Sequence, residues 1–189
     1  QNRDGGLPTF CRGWGRLPFD RSCPDLTAHA CAAWDAWSGA ADRHLRARLT
    51  RARQRAVRYL LHRQHADGSW IPLWFGNTAC TDNVNPAIGT ARVLAALAVW
   101  RVESASVAQA CARAEAWLCA AQHPNGGWGA DAATPATIEE TAWSIIALAQ
   151  PDAGPAARTA AARGAAWLSR AAAGDTSLAP APIGLYFAK

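Results

Sequence analysis

The sequence of 189 residues is long enough for one domain with a substantial hydrophobic core. Half of its residues are hydrophobic, 17% are charged and ten are Trp, a composition that excludes an intrinsically disordered chain. The formal net charge of +5 comes almost wholly from arginine, since Lys189 is the only lysine. No apolar run reaches the roughly 18–20 residues that a membrane-spanning helix needs.

The chain begins with an irregular segment, residues 5–24, which is rich in Gly, Pro and aromatic residues. A first helix is predicted over residues 25–37. It follows Pro24 and places Asp25 at its N-terminal end, where a negative charge is favourable. A second helix is predicted over residues 43–65.

The second predicted helix carries eight arginines alongside Val57, Leu60 and Leu61. Such an arginine-rich face is typical of a solvent-exposed outer helix, and it also suits attraction to anionic lipid head groups at a membrane surface. Nucleic acid is not an expected partner, because the sequence contains no recognised nucleic-acid-binding module and its aromatic residues do not follow the positive charge.

The rest of the chain is predicted as a long loop followed by two further helix pairs. The loop covers residues 71–87 and contains Trp74. Thr137 is a predicted helix N-cap, with Glu140 three residues later as its capping-box partner. Residues 180–189 are predicted to begin a seventh helix. The four helices of the two pairs are predicted over residues 89–100, 105–121, 138–149 and 155–172.

The predicted helices alternate in character. Those over residues 25–37, 89–100 and 138–149 are apolar on nearly every face, which is typical of buried helices, whereas the other three carry Arg on one side. This alternation predicts an inner layer wrapped by an outer layer. Three helix pairs cannot close a ring, so we expect an all-α fold, a partial α/α toroid that forms about half of an α/α barrel.

A sequence repeat accompanies the alternation. Gln64 and Trp70 recur as Gln122 and Trp128, each 58 positions later, with an Asp-Gly or Asn-Gly-Gly turn between Gln and Trp. Asn and Gly tolerate the left-handed backbone that ends a helix, so each copy is predicted to be a helix end followed by a turn.

Two less regular copies flank this pair. Residues 1–6 form the tail of one copy, in which Leu7 replaces the Trp, and residues 162–175 keep a helix with Trp167. Terminal repeats of stable arrays are normally atypical and polar outside. Because this chain starts inside a repeat and shows no such cap, we expect residues 1–189 to be a single partial domain of a longer protein, truncated at both ends.

The six cysteines show no C-x-x-C pair. Cys111 and Cys119 lie eight positions apart on one predicted helix, too far along its axis for a disulfide. A zinc site would need closer pairs with His nearby. We therefore expect structural thiols, with no metal and no cofactor.

The Gln/Gly/Trp repeat resembles the QW motifs of squalene–hopene cyclases and related triterpene cyclases. Two further stretches carry the same resemblance, PDLTAH at residues 24–29 and APIGLYFAK at residues 181–189. The resemblance covers essentially the whole chain and corresponds to the C-terminal half of the catalytic barrel. PDLTAH is the more specific signal, because protein prenyltransferase β subunits share the toroid.

The resemblance implies an acid-initiated polycyclisation of a polyprenyl substrate such as squalene. In the family, an aspartic acid of a DxDD motif protonates a terminal alkene, and a histidine bonded to that acid supports it together with an aspartate one helical turn earlier. Asp25 and His29 match this supporting pair and stand at positions i and i+4 of a predicted helix. A carboxylate one turn from a histidine favours the imidazolium and orients its ring.

The resemblance also assigns aromatic residues to the reaction cavity, where aromatic faces stabilise a carbocation. Phe10 falls where the family has a cavity tyrosine, Trp74 where it has a cavity tryptophan, and Tyr186 near its late-cation phenylalanine. Other tryptophans belong to the repeat, and we expect each to stack on its neighbouring Gln or turn and to tie outer helices together. These packing residues are Trp70, Trp117, Trp128 and Trp167.

Two departures from the family pattern bear on activity. The sequence contains no D-x-D-D, so the proton donor is expected upstream of Gln1, and the isolated chain is expected to be inactive. Ile88 stands where the family commonly has a tyrosine in the hydrogen-bond network around the acid. These departures leave open another polyprenyl substrate or a protein that has lost activity.

Two alternatives to a cyclase remain. A protein prenyltransferase β subunit would need a zinc site with D-x-C spacing, which the sequence lacks. A non-catalytic helical-repeat binding module is favoured by Ile88 and by the irregular last repeat, but not by the Asp25/His29 pair. For an intact cyclase, the resemblance implies a peripheral position on the cytoplasmic side of a membrane, and it leaves a homodimer open.

Overall fold

The computed structural model describes residues 1–9, 21–174 and 183–185. Six α-helices lie in these ranges, and the six helices predicted from the sequence are confirmed. The third starts earlier than predicted, at Pro86, because the Asn85 side chain caps it by accepting the Ile88 N–H. The helices are α1 (Pro24–Ser38), α2 (Arg43–Arg63), α3 (Pro86–Ala98), α4 (Ala105–Ala121), α5 (Ile138–Leu148) and α6 (Pro155–Ala172).

Two short antiparallel strand pairs accompany the helices. Strand β1 (Leu7–Pro8) pairs with β2 (Ser22–Cys23), and β3 (Phe75–Asn77) pairs with β4 (Ile183–Leu185).

The prediction of a helix over residues 180–189 is wrong for the three described residues, which form strand β4. Gly184, at the centre of this strand, has low helix propensity. Gly184 also faces Gly76 across the strand pair, where neither residue brings a side chain.

The helices form two layers. Helix α3 packs between α1 and α5 in the inner layer, and each of the three packs against the outer helix that follows it, α2, α4 or α6. The predicted inner and outer layers are therefore confirmed.

Burial differs within the inner layer. Only Arg92 and Ala95 of α3 are not buried, whereas Trp37 of α1 is 71% exposed and Ile146 of α5 is 49% exposed. The expectation that all three inner helices are buried on every face holds for α3 and fails for α1 and α5. The reason is that α3 has an inner neighbour on each side, while α1 and α5 each have one in the described part of the chain.

The repeat makes the same hydrogen-bonded connection three times. In each copy a Gln side-chain amide donates to the glycine carbonyl four residues later and to a backbone carbonyl of the next outer helix. The prediction that the repeats tie outer helices together is confirmed. The acceptors are Gly5 and Ala52 for Gln1 (2.7 and 2.8 Å), Gly68 and Ala110 for Gln64 (both 2.9 Å), and Gly126 and Ala160 for Gln122 (both 2.8 Å).

The repeat tryptophans join the outer layer to the inner layer. Trp70 is fully buried; its indole N–H donates to the Leu60 carbonyl of α2 at 2.8 Å, and its backbone N–H donates to the Thr90 hydroxyl of α3 at 3.0 Å. Trp128 makes the equivalent bonds to Leu118 of α4 and Thr141 of α5.

The repeat turns are contacted by tryptophans of the outer helix that comes next along the chain. Trp167 of α6 lies against Gly127, where an added Cβ would come within 2.8 Å of its ring, and the Trp117 indole donates to Asp67 at 3.1 Å. Trp167 thus packs on a turn, that of the preceding repeat, whereas the contact of Trp117 with a turn is a hydrogen bond; the stacking predicted for Trp117 stays a prediction. For Trp70 and Trp128 the indole bonds run to helix carbonyls.

The turns also depend on glycine. Gly68 has φ +98°, and a Cβ there would lie 2.6 Å from the Arg113 carbonyl oxygen. Only a residue without a side chain combines this left-handed backbone with so close an approach to the next outer helix.

Candidate functional site

A cavity of about 230 Å³ lies between the three inner helices. Small alanine side chains of α1 and α3 and the ring of Trp143 on α5 form most of its wall. Three polar side chains also line it, Asp25 and His29 from α1 and Arg92 from α3. The cavity is thus largely apolar, with its charged groups gathered where α1 meets α3.

Asp25 lies in the first turn of α1, where the helix dipole favours a carboxylate. Its side chain is 0% exposed, and both of its oxygens are bonded. Oδ1 accepts the Cys23 thiol at 2.6 Å, and Oδ2 accepts the Arg92 guanidinium at 3.1 Å. A charge removed from water in this way is stable only with such partners.

His29 lines the same cavity one turn along α1 and is exposed. The structure therefore brings the predicted pair to one site. The hydrogen bonds of the Asp25 carboxylate, however, run to Cys23 and Arg92 rather than to His29. The role that the resemblance gives to Asp25 and His29 stays a prediction.

Arg92 is the site residue that the sequence analysis missed. Its guanidinium pairs with Asp25 and also lies over the Trp143 ring, 4.7 Å from the centroid, in a cation–π contact. A signal was present, because Arg92 is the only charged residue of the otherwise apolar helix α3. A charge on a buried inner helix indicates either a buried ion pair or a functional site.

Cys23 joins this cluster to the loop after α2. Its pKa is raised to about 12, with burial as the largest cause and the neighbouring Asp25 carboxylate as the next. The thiol therefore stays protonated at neutral pH and donates to Asp25. Its sulfur also accepts the Leu73 N–H at 3.2 Å.

The cysteines of the described ranges are free thiols, as the sequence predicts. Four of them are buried and Cys119 is half-buried. Burial raises their pKa values, to about 12 for Cys31 and about 11 for Cys80. Such protonated, inaccessible thiols suit a structural role.

Of the three predicted cavity aromatics, the structure describes Trp74. Trp74 is buried just before β3 and is not part of the wall of the 230 Å³ cavity. Phe10 and Tyr186 lie outside the described residues. Their roles stay predictions.

A second buried carboxylate, Glu140, ties the start of α5 to the long loop. Its Oε1 accepts the side-chain amides of Asn77 at 3.1 Å and Asn85 at 2.9 Å, and its Oε2 accepts the Thr137 hydroxyl. These neutral donors join β3, the start of α3 and the start of α5 in one polar cluster.

The predicted capping box at this helix is half right. The Thr137 hydroxyl oxygen does accept the Glu140 N–H, at 3.3 Å. The reciprocal bond is not formed, because the Thr137 N–H donates to the Trp128 carbonyl at 2.9 Å. The Glu140 carboxylate is therefore available to the two asparagine amides.

In residues 1–9, 21–174 and 183–185, no group of three His, Cys, Asp or Glu side chains is placed to hold a metal ion. No helix in these ranges is both long and apolar enough to span a bilayer.

Comparison with known proteins gives a consistent set of relatives. Residues 18–179 match the model of the squalene–hopene cyclase C-terminal domain. The chain is 35% identical to a drimenyl diphosphate synthase of Streptomyces showdoensis over 84% of this chain and 25% of that protein. It is 29% identical to a probable squalene–hopene cyclase of Sinorhizobium fredii over 90% of this chain and 27% of that protein.

A solved structure shares the fold. The ent-copalyl diphosphate synthase of Streptomyces platensis superposes with a TM-score of 0.62 at 27% identity, over 89% of this chain and 29% of that one. The chain thus spans between a quarter and a third of the length of these relatives. The family match, which covers most of the chain, shows that this protein belongs to the squalene–hopene cyclase C-terminal domain family.

Proposed function

We propose that this chain forms part of the wall of the reaction cavity in a terpene cyclase that cyclises a polyprenyl substrate such as squalene by protonating a terminal alkene. One observation carries the proposal. A fully buried carboxylate, Asp25, and a histidine, His29, line a largely apolar cavity between the inner helices of a cyclase-family chain.

The cavity wall suits a hydrocarbon substrate and a carbocation. Alanines of α1 and α3 offer an apolar surface without hydrogen-bonding groups, and Trp143 adds an aromatic ring. An aromatic face over a cation contributes about 0.5–2 kcal/mol. Arg92 already covers Trp143 in this structure, so the ring would be available to a cation only where the guanidinium leaves it.

In this proposal the chain supports the acid and does not supply it. The sequence contains no D-x-D-D, so the proton donor belongs to another part of the protein. His29 would hydrogen-bond that donor. Asp25 would supply a negative charge at the start of α1 and would hold in position the face of the helix that carries His29. Arg92 and Cys23 would in turn fix Asp25.

The substrate is proposed as a class. Two similar proteins are named as a drimenyl diphosphate synthase and an ent-copalyl diphosphate synthase, so their products carry a diphosphate. Others are named as squalene–hopene cyclases. Both groups support an acyclic polyprenyl chain as substrate, with or without a diphosphate.

The exposed arginines of α2 support a second part of the proposal, a peripheral position on a membrane surface. Arg43, Arg48, Arg51 and Arg58 are exposed on this outer helix, where anionic lipid head groups could reach them. A membrane position would suit a substrate that is poorly soluble in water.

The direct test is product analysis. The intact protein that contains this chain would be incubated with squalene and, separately, with farnesyl and geranylgeranyl diphosphates, and the extracts analysed by gas chromatography and mass spectrometry. We expect a cyclic isomer or hydrate of one of them. The 189-residue chain alone should give none. No cyclic product from any substrate, or turnover by the isolated chain, would contradict the proposal.

A further inference from the structure

A second, larger cavity of about 700 Å³ lies beside the last turns of α2. The N-terminal segment, the residues just before α1 and Leu73 form its other walls. It adjoins the candidate site, because Ser22 lines it while the next residue, Cys23, bonds Asp25.

The charge around this cavity is unbalanced. Arg21, Arg58 and Arg63 line it together with His62, and Asp4 is the one carboxylate among the described lining residues. The Asp4 Oδ1 already accepts the Ser22 hydroxyl at 2.7 Å and the Gly6 N–H at 3.0 Å. Within the described ranges, none of the three arginines forms an ion pair with a carboxylate.

Other arginines of α2 are committed to structural contacts. Arg53 pairs with Asp35 at 3.5 Å and with Glu103 at 3.6 Å. Arg55 donates to the carbonyls of Asn2 and Arg3. The arginines of the cavity thus differ from these, because they face an open volume rather than a carboxylate or a set of carbonyls.

The wall that carries these arginines is fixed in place. Tyr59 is buried, its hydroxyl donates to the Ser22 carbonyl at 2.7 Å, and Arg63 lies beside it. Burial raises the pKa of Tyr59, so the phenol stays protonated and remains a donor. The Asn2 amide donates to the Ser22 hydroxyl at 3.0 Å, which holds the N-terminal segment against the same wall.

We propose that this cavity binds a phosphate or diphosphate group through Arg21, Arg58 and Arg63, with His62 at its edge. Guanidinium groups bind phosphate oxygens in pairs and keep their charge at all physiological pH values. The volume exceeds that of a phosphate and lies in the range of small-molecule sites, so the group would enter with part of the molecule that carries it. That molecule is either an anionic lipid or a soluble phosphate compound.

This site goes beyond the proposed function, which gives the exposed arginines of α2, Arg58 among them, a general attraction to lipid head groups but no built phosphate site. It is also independent of cyclisation, since a phosphate site at α2 would exist in a protein with no cyclase activity. Its test therefore measures binding and not turnover.

The test is titration calorimetry of the intact protein with inorganic diphosphate at two salt concentrations. The variant Arg58→Gln/Arg63→Gln would be compared with Arg48→Gln/Arg51→Gln, which removes two exposed arginines of the same helix outside the cavity. Both variants lower the net charge equally. Arg21→Gln, outside the helices, is a third variant that leaves the contacts of α2 intact, and circular dichroism would check that each variant is folded.

We expect the cavity double variant to bind diphosphate at least about tenfold more weakly and the control to change less than about twofold, since hydrogen bonds to charged groups are the strong ones. Arg21→Gln should also weaken binding. If both double variants weakened diphosphate binding equally, the binding would depend on the overall positive charge of α2 and not on the cavity, and the proposal would be overturned. Absence of binding to the unmodified protein would overturn it as well.

Sedimentation with vesicles of phosphatidylglycerol and phosphatidylcholine, against phosphatidylcholine alone, identifies the source of the phosphate. A lipid ligand predicts that the cavity variant loses more binding to the anionic vesicles than the control, whose arginines belong to the proposed membrane surface, and that diphosphate competes. A soluble ligand predicts that the cavity variant and the control bind the vesicles alike while calorimetry still separates them.

Discussion

Asp25 is the residue on which the candidate site depends most at the scale of single side chains. Its carboxylate is fully buried, but the Arg92 side chain that neutralises it is 33% exposed. The two residues of the ion pair therefore differ in their access to water when the partner is removed. Arg92 can turn to water, whereas Asp25 cannot without movement of α1.

This asymmetry predicts unequal losses of stability. Arg92→Met leaves a buried charge with only the Cys23 thiol, and we expect the free energy of unfolding to fall by about 3–5 kcal/mol. Asp25→Asn leaves a guanidinium that reaches solvent, and the expected loss is about 1–2 kcal/mol. Guanidinium chloride unfolding of both variants measures the difference, and equal or reversed losses would contradict the ion pair as described.

The buried thiols predict a dependence of stability on alkaline pH. Burial raises the pKa of Cys31 from 9.0 to about 12. The pKa is higher in the folded state, so the contribution to stability is complete below about pH 9 and is lost as the pH rises from there towards 12.

Cys31→Ala should therefore lessen the alkaline loss of stability by about 1.4 kcal/mol per pH unit between pH 9 and 11, the value for one proton. The measurement is the free energy of unfolding at pH 7, 9 and 10.5 for the unmodified protein and the variant. If the free energy of unfolding changed with pH in parallel for the unmodified protein and the variant, Cys31 would ionise normally in the folded state, contrary to the prediction.

At the scale of elements, the molecule repeats one connection between successive outer helices. The Gln64 amide reaches across the turn to the Ala110 carbonyl of α4, and its carbonyl oxygen accepts the Arg113 guanidinium. Gln122 makes the matching amide bond to Ala160 of α6. The tie therefore joins each repeat to the next while it also closes the turn of its own repeat.

Gln64→Ala should lower the free energy of unfolding by about 1–3 kcal/mol, because it removes these bonds and leaves backbone carbonyls less satisfied. Gln54→Ala is the matched control, since Gln54 is exposed on the same helix, and its effect should stay within about 0.5 kcal/mol. Chemical unfolding of the two variants gives the comparison. A loss from Gln64→Ala no larger than that of the control would mean that the tie adds nothing measurable.

The sequence identifies these elements well where the signal is local or periodic. The alternation of apolar and arginine-bearing helices and the spacing of Gln and Trp predict the six helices and the ties between outer helices. The acceptors of Gln64 could not be read in this way, because they depend on which helix passes beside the turn.

Contacts between distant residues account for what the sequence did not predict. Arg92 and Asp25 are 67 positions apart, and Asn77 and Glu140 are 63 apart. Strand β4 pairs with Phe75–Asn77, far earlier in the chain. No spacing rule predicts such pairs, since they follow from how the layers stack.

At the scale of the whole molecule, α1, α3 and α5 form one continuous inner wall, and the outer helices hold its position. The described chain spans only part of the length of its relatives. The wall is therefore proposed to meet the proton donor and the rest of the cavity in the intact protein. His29 is exposed on this wall, and we propose that it is the side chain that reaches such a donor.

The most direct test of this account is turnover by the intact protein carrying His29→Ala, with His44→Ala, an exposed histidine on α2, as the control. Initial rates of cyclic product formation would be measured beside the melting temperature. We predict a fall of about 10²-fold or more for His29→Ala, because His29 is proposed to support a general acid whose own contribution is about 10²–10⁴-fold, with unchanged melting temperature and a fully active control. Unchanged turnover by a folded His29→Ala protein would contradict the account.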